Sequence, residues 1–340
     1  MSSNWDSAPW AIRGTKISEN VLRAMLYAAT NGAEGVVGIN DLKVLPQPAP
    51  TGQVRIVKGG ALVRNRAAGQ EQETYGCRLG VTDYVNIAKT GSAGGRTDLI
   101  YVKINDPWVP GSNVDQPEDP ATFQYVETGV LSNVSRYTRE LQDVTGFENA
   151  TGYAIARVTL PANTEAVTAA MIEDLRAVAN PRKDRQPNAY AMFSSQTQHI
   201  TTTSGAGQQF PDFTANWRVD VPEWATKAVV VATWAQAQAK NDKNQSATGQ
   251  LWARLGGLDD AASVNTQENS WDTVDTPLNG TSRQTFQVTD TVLIPEGLRG
   301  RSVPAMLMGR RAAASTASEA IVLDGQSSVA IDVEFIEGPA

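Results

Sequence analysis

The stretch that most limits how this chain can fold is the last one before its end. In 328–336, Val329, Ile331, Val333 and Phe335 alternate with Ala330, Asp332 and Glu334. A period of two buries one face of a strand and wets the other. Seven more strand candidates precede it in the second half, at 189–200, 216–221, 226–236, 250–255, 283–294, 302–310 and 319–323. No convincing helical pattern lies among them. Eight strands joined by turn-rich loops predict a β-sandwich, closed in the manner of a jelly roll.

The first half mixes periods. Ser18 is placed to cap a helix whose apolar set is Val21, Leu22, Met25, Leu26 and Ala29, with Asn31-Gly32 as its stop. The helix lacks the basic face of a membrane-surface helix. Strands are expected at 53–58, 61–65, 84–88, 97–105, 122–127 and 153–160. In 97–105, Ile100, Val102 and Ile104 face one way and Leu99 and Tyr101 the other, as in a central strand buried on both sides. Glycines 32, 35 and 38 follow a helix and precede no Lys-Ser/Thr pair, so they read as a turn-rich connection, not a phosphate loop. Trp5 and Trp10 are expected to dock, on this chain or on a neighbour.

A second helix is predicted after Thr168, because Ile172, Leu175 and Val178 recur at helical spacing and Asn180-Pro181 would end it. The next residues, 182–187, hold nothing apolar and read as a solvated connector. The expected organisation is therefore a mixed α+β domain over 1–180, a linker over 181–187 and a β-sandwich over 188–340, with the whole mainly β.

Composition removes several functions. The strongly apolar run 228–235 is far short of the ~20 residues of a membrane span, and the opening residues show no secretory signal. One cysteine, Cys77, excludes an intrachain disulfide framework, and one histidine, His199, builds no histidine metal cluster. Residues 186–340 carry ten Lys and Arg against sixteen Asp and Glu, leaving nineteen against twenty in 1–185. Neither half has the basic footprint that nucleic acid requires.

Four segments, WAIRGTKISENVLRAMLYAATNGAEGVVG, DLKVLPQPAPTGQVRIVKGGALVRNR, GRTDLIYVKINDP and VTAAMIEDLRAVANP, resemble the opening domain of tail-tip proteins from long-tailed bacteriophages. These are minor tail or baseplate components. The shared order is a helix, a G-x-V-x-x-x-x-G-x-A strand pair, an arginine-aspartate strand and a closing I-x-D-L-R helix, across roughly the first 185 residues. The stretch VPEWATKAVVVATWAQAQA, with VLIPEG and the final strand, more loosely resembles the β-sandwich tips of such proteins. The resemblance implies a virion protein made in the host cytoplasm, an anchoring domain before an exposed module, other tail proteins as partners and a homotrimer. It carries no catalytic motif, cofactor or metal.

Chemistry is sparse. Asp259-Asp260, Asp272 and Asp275 are close in sequence within a polar loop, and no pattern puts one in an apolar pocket where it could act as an acid. Asp115, Glu118 and Asp119 could bind calcium, but prolines break the ligand spacing. His199 lies near Ser194, Ser195 and Ser204 without a nucleophile elbow, and Cys77 lacks a histidine partner. Binding remains. Trp271, flanked by Asn269, Asp272 and Asp275 in VNTQENSWDTVDTPLNG, either pins a long loop or offers a face to a host cell-surface glycan. The exposed loop 239–250 is a second candidate with less to grip. The expected function is non-enzymatic tail-tip architecture with host recognition by the second domain. The rivals are a purely structural baseplate or collar subunit and a wall-polysaccharide-degrading enzyme.

Overall fold

The computed structural model describes residues 18–240, 248–273, 281–312 and 321–339. Trp5, Trp10, Asp275 and most of the 239–250 loop therefore lie outside the described residues. The chain divides into two compact units, the first ending at Asn180 and the second running Pro181–Gly338.

The first unit opens with helix α1, Glu19–Ala29. Asn31 and Gly32, at φ 52° and 74°, turn the chain out of it as the Asn-Gly pair predicts. Ten strands follow: β1 (Gly35–Val36), β2 (Val44–Pro46), β3 (Gln53–Ile56), β4 (Gly59–Arg64), β5 (Thr74–Leu79), β6 (Asp83–Asn86), β7 (Arg96–Ile104), β8 (Val126–Leu131), β9 (Gly152–Leu160) and β10 (Ile172–Asp174). They form antiparallel sheets in the orders β1-β4-β5, β2-β3-β6 and β10-β9-β7-β8. Strand β7 lies inside its sheet with Leu99, Ile100, Tyr101, Val102 and Ile104 all buried, the two-sided burial read from its sequence. One core gathers Val36, Val54, Ile56, Val63, Ile100, Ile155 and Val158 from the three sheets.

The helix expected after Thr168 does not form. Ala169–Met171 makes one 3-10 turn, and Ile172–Asp174 then pairs with β9 as strand β10. The chain stays extended beyond it: Leu175 N donates to Ile155 O (3.2 Å), Val36 N to Ala177 O (2.8 Å), and Ala179 N to Val36 O (2.9 Å). Gly35 permits this approach, because a Cβ there would lie 2.2 Å from Ala177 O. Arg176, expected on the wet side, is buried. It reaches Asp174 Oδ1 and Oδ2 (2.9 and 2.7 Å) and the carbonyls of Ile39 (3.0 Å) and Asp41 (2.5 Å). The I-x-D-L-R segment is thus an arginine clamp on an edge strand. An open sheet edge beside it outweighs a short helix with modest intrinsic stability.

The second unit holds β11 (Lys183–Ala191), β12 (Gln198–His199), β13 (Gln208–Gln209), β14 (Arg218–Asp220), β15 (Lys227–Lys240), β16 (Thr248–Leu255), β17 (Val264–Asn265), β18 (Asn269–Asp272), β19 (Thr281–Leu293), β20 (Ser302–Arg311), β21 (Ile321–Leu323) and β22 (Ser328–Ile336). One sheet runs β11-β22-β15-β19, with β21 and β12 continuing at the far end of β15. The other runs β13/β14-β20-β16-β17/β18. Counting β13/β14 and β17/β18 as one strand position each, and setting aside the short β12 and β21, gives eight main strands. Their sheets read first-eighth-third-sixth and second-seventh-fourth-fifth, every pair antiparallel. That interleaving is a jelly roll, two Greek keys folded into a sandwich. Trp234, Phe210, Phe335, Leu251, Leu307, Ile331 and Val333 fill the space between the sheets.

Residues 183–187 are no linker. They are the first half of β11, paired with β22 from Lys183↔Ile336 to Pro187↔Asp332. An outermost strand covers a neighbour with its backbone and needs few apolar side chains, so its composition looks like a loop. Arg182 fastens this end, with Nε and Nη2 on Glu337 (2.9 and 2.7 Å). The Arg182 hydrogen bond holds the Glu337 carboxyl below its ordinary range, and Arg283 does the same to Asp324. Depressed folded-state values stabilise the unit above the ordinary carboxylate range, and that contribution disappears as pH falls through the folded-state values. The melting temperature should therefore drop on acidification from pH ~5 towards ~3. Arg182→Gln with Arg283→Gln should flatten that drop, which thermal melts across the window would show.

Candidate functional site

The site expected around Trp271 is corrected by its burial. Trp271 is 3% exposed and belongs to the sandwich core. In β18 it stands opposite Gly249 of β16. A Cβ at Gly249 would sit 2.4 Å from the indole and 2.1 Å from Arg310 O. The indole therefore lies over the glycine and offers no face to a sugar. Asn269 and Asp272 are exposed on the same short strand, with Asn269 Nδ2 committed to Gln287 O at 2.8 Å. Asp275 lies outside the described residues. Gly249→Val should cost about 1–3 kcal/mol through overpacking, read from the midpoint of chemical denaturation.

The catalytic candidates are likewise held in local structure. Asp260 accepts from Ala262 N (3.0 Å) and pairs with Arg301 (2.8 Å); the backbone bond and then the arginine hold its carboxyl low, opposite to what a general acid needs. Asp119 closes a turn by accepting from Ala121 N (2.9 Å) and Thr122 Oγ1 (3.1 Å). Among the described residues no three His, Cys, Asp or Glu side chains are grouped to hold a metal ion. His199 is half-buried on β12, paired with Val322, and Gln208 Nε2 donates to its carbonyl oxygen at 2.8 Å. Glu34 is the described carboxyl most like an acid, since burial raises it within a cavity of about 230 Å³ that Glu140 also lines. Both its oxygens are taken, Oε1 by Arg66 (2.5 Å) and Oε2 by Arg64 N (3.1 Å), so it ties β4 to the turn before β1.

Two adjoining concavities lie in the first unit. One, of about 410 Å³, is bounded by the start of α1 and by Tyr75, Cys77, Asp106, Trp108 and Tyr125. Tyr75 Oη donates to Asp106 Oδ2 at 2.7 Å, Arg23 pairs with Glu73 at 2.6 Å, and the guanidinium sits 5.0 Å from the Tyr75 ring centre. Burial, reinforced by Asp106, pushes the Tyr75 phenol far up, so it stays a neutral donor. Trp108 is 51% exposed and leans on Tyr125, ring centres 5.9 Å apart. A second cavity, of about 330 Å³, continues along Cys77, Leu79, Val126 and Thr128. Burial raises the Cys77 thiol above its ordinary value, making it a sluggish nucleophile. One sequence feature points to this region, a tryptophan, Trp108, within the Pro/Asp-rich stretch 106–120.

No family model matches the chain, and no curated protein matches its sequence. Among solved structures, similarity extends to infectious bursal disease virus, Gx strain, at 10% identity and TM-score 0.27, covering 88% of this chain and 74% of that one. The VP2 subviral particle of the same virus gives 10% identity and TM-score 0.26, covering 94% and 78%. The tandem CBM22 domains of Paenibacillus barcinonensis Xyn10C give 9% and 0.22, covering 89% and 98%. Overlaps this loose do not establish a shared fold. The jelly-roll assignment rests on the strand order itself. Among the described residues no helix is long and apolar enough to cross a membrane.

Proposed function

We propose that the protein is a structural component of a phage tail, at the tip or baseplate, assembled as an oligomer and without catalytic activity. The observation that carries this reading is a jelly roll closed around one apolar core, in a chain whose first 180 residues resemble tail-tip anchoring domains in sequence. Glu34, Asp260, Asp324 and Glu337 are each engaged by an arginine or a backbone amide, which supports a scaffold over an enzyme. Contact with a host surface, on this reading, falls to exposed parts of the second unit other than Trp271. The aromatic cluster of Tyr190, Phe193, Phe213 and Trp217 is one such part, with Phe193 63% exposed and 5.7 Å from Tyr190. The test is the mass of the purified protein by light scattering. Three chains per particle supports the proposal and a strict monomer overturns it. Release of reducing ends from host wall polysaccharide would replace it with the enzymatic alternative.

A further inference from the structure

Two sheets of the first unit end on strands with one side unpaired among the described residues. Strand β5 ends β1-β4-β5, and β8 ends β10-β9-β7-β8. The cavities of about 410 and 330 Å³ lie between these ends and meet at Cys77 and Val126, which line both. The walls are apolar side chains that the core covers only in part: Tyr75, Cys77 and Leu79 from β5, and Val126 from β8. A free sheet edge offers a row of backbone donors and acceptors to any extended chain that can reach it. On β8 the first carbonyl, Val126 O, is already taken by Gln124 Nε2 at 2.6 Å, which leaves β5 as the more open edge.

Charge narrows the occupant. Glu19, Asp83, Asp106 and Glu127 line the two cavities against Arg23 and Arg78, and Arg23 is itself bound to Glu73. The groove is therefore net negative and suits a basic partner. A neutral saccharide would draw nothing from the groove's charge, and Trp108 and Tyr125, tilted 38° to each other, make no flat platform for one.

We propose that this groove takes an extended, net-basic segment of a partner protein as an added strand on β5, with alternate apolar side chains filling the two cavities. This goes beyond the tail assignment and does not depend on it. Cys77 supplies the readout, since it is the one cysteine of the chain and lies at the meeting point of the cavities.

The full chain is titrated with a fluorescent nonapeptide, Lys-Val-Thr-Val-Lys-Val-Thr-Val-Lys, and with the same peptide N-methylated at alternate residues. Anisotropy and the rate of Cys77 alkylation are followed together. The plain peptide should bind, slow alkylation about tenfold at saturation, and bind about tenfold more tightly than the methylated one, which has lost its inter-strand donors. Raising the salt should weaken it. Equal binding of the two peptides, or binding that leaves alkylation unchanged, overturns the proposal. So does Cys77 protection that grows with protein concentration in the absence of peptide, which would give the groove to a second copy. Because every arm uses the unaltered protein, no outcome turns on a variant's ability to fold.

Discussion

Trp234→Ala is expected to remove most of the stability of the jelly roll. The side chain is fully buried, and its Nε1 donates to Phe210 O at 2.7 Å. Losing a buried tryptophan costs about 3–5 kcal/mol, and the stranded carbonyl adds about 1–3. A domain of this size holds about 5–15 kcal/mol in all, so the sum decides whether it folds. Trp234→Phe keeps most of the ring and should cost about half as much, which separates packing from the hydrogen bond. Urea unfolding followed by circular dichroism measures both. A Trp234→Ala loss below about 1 kcal/mol would mean that the two sheets do not close on this residue.

Arg176→Met should be the most damaging charge removal in the first unit, at about 3 kcal/mol. The substitution keeps the aliphatic bulk but strands the Asp174 carboxylate and the carbonyls of Ile39 and Asp41. Breaking a buried, multiply bonded ion costs several kcal/mol because its partners are left without compensation. Arg176→Lys should recover less than half, since one ammonium cannot span a carboxylate and two carbonyls. The control is Arg139→Ala. Arg139 also pairs with a carboxylate, Glu173 at 3.1 Å, but is 63% exposed and should cost under about 1 kcal/mol. Similar losses at the two positions would remove the clamp as an explanation of the I-x-D-L-R segment.

The two arginines also show where sequence reading works in this chain and where it stops. Strands buried on one face or both were legible, because period-two alternation is imposed by the pleat: Ser328–Ile336 came out with the expected ends, and Arg96–Ile104 within one residue. Segments whose conformation is decided by a distant partner were not. Ile172, Leu175 and Val178 fit a helical period by coincidence, while the unpaired edge of β9 and the glycine at position 35, over a hundred residues earlier, hold them extended. Lys183–Ala191 carries almost no burial signal, because its contribution is backbone pairing. Trp271 misled for a related reason. Its neighbours are polar because they face water, and the feature that buries it is the glycine opposite, twenty-two positions earlier, which no local pattern announces. The first-unit groove is a matter of topology. Two sheets end without pairing edge to edge, and only the pairing order reveals it.

The charged first half of β11 sets a practical limit on how the chain can be cut. Lys183, Arg185 and Pro187 make the rim of that sheet a poor template for another molecule. A fragment beginning at residue 188 would lose these guards and bare the 332–336 stretch of β22, whose Val333 and Phe335 belong to the core. Copies of such a fragment would zip together through the bared backbone. Clumping in that preparation would then come from the position of the cut, and a fragment carrying Arg182 onward would avoid it.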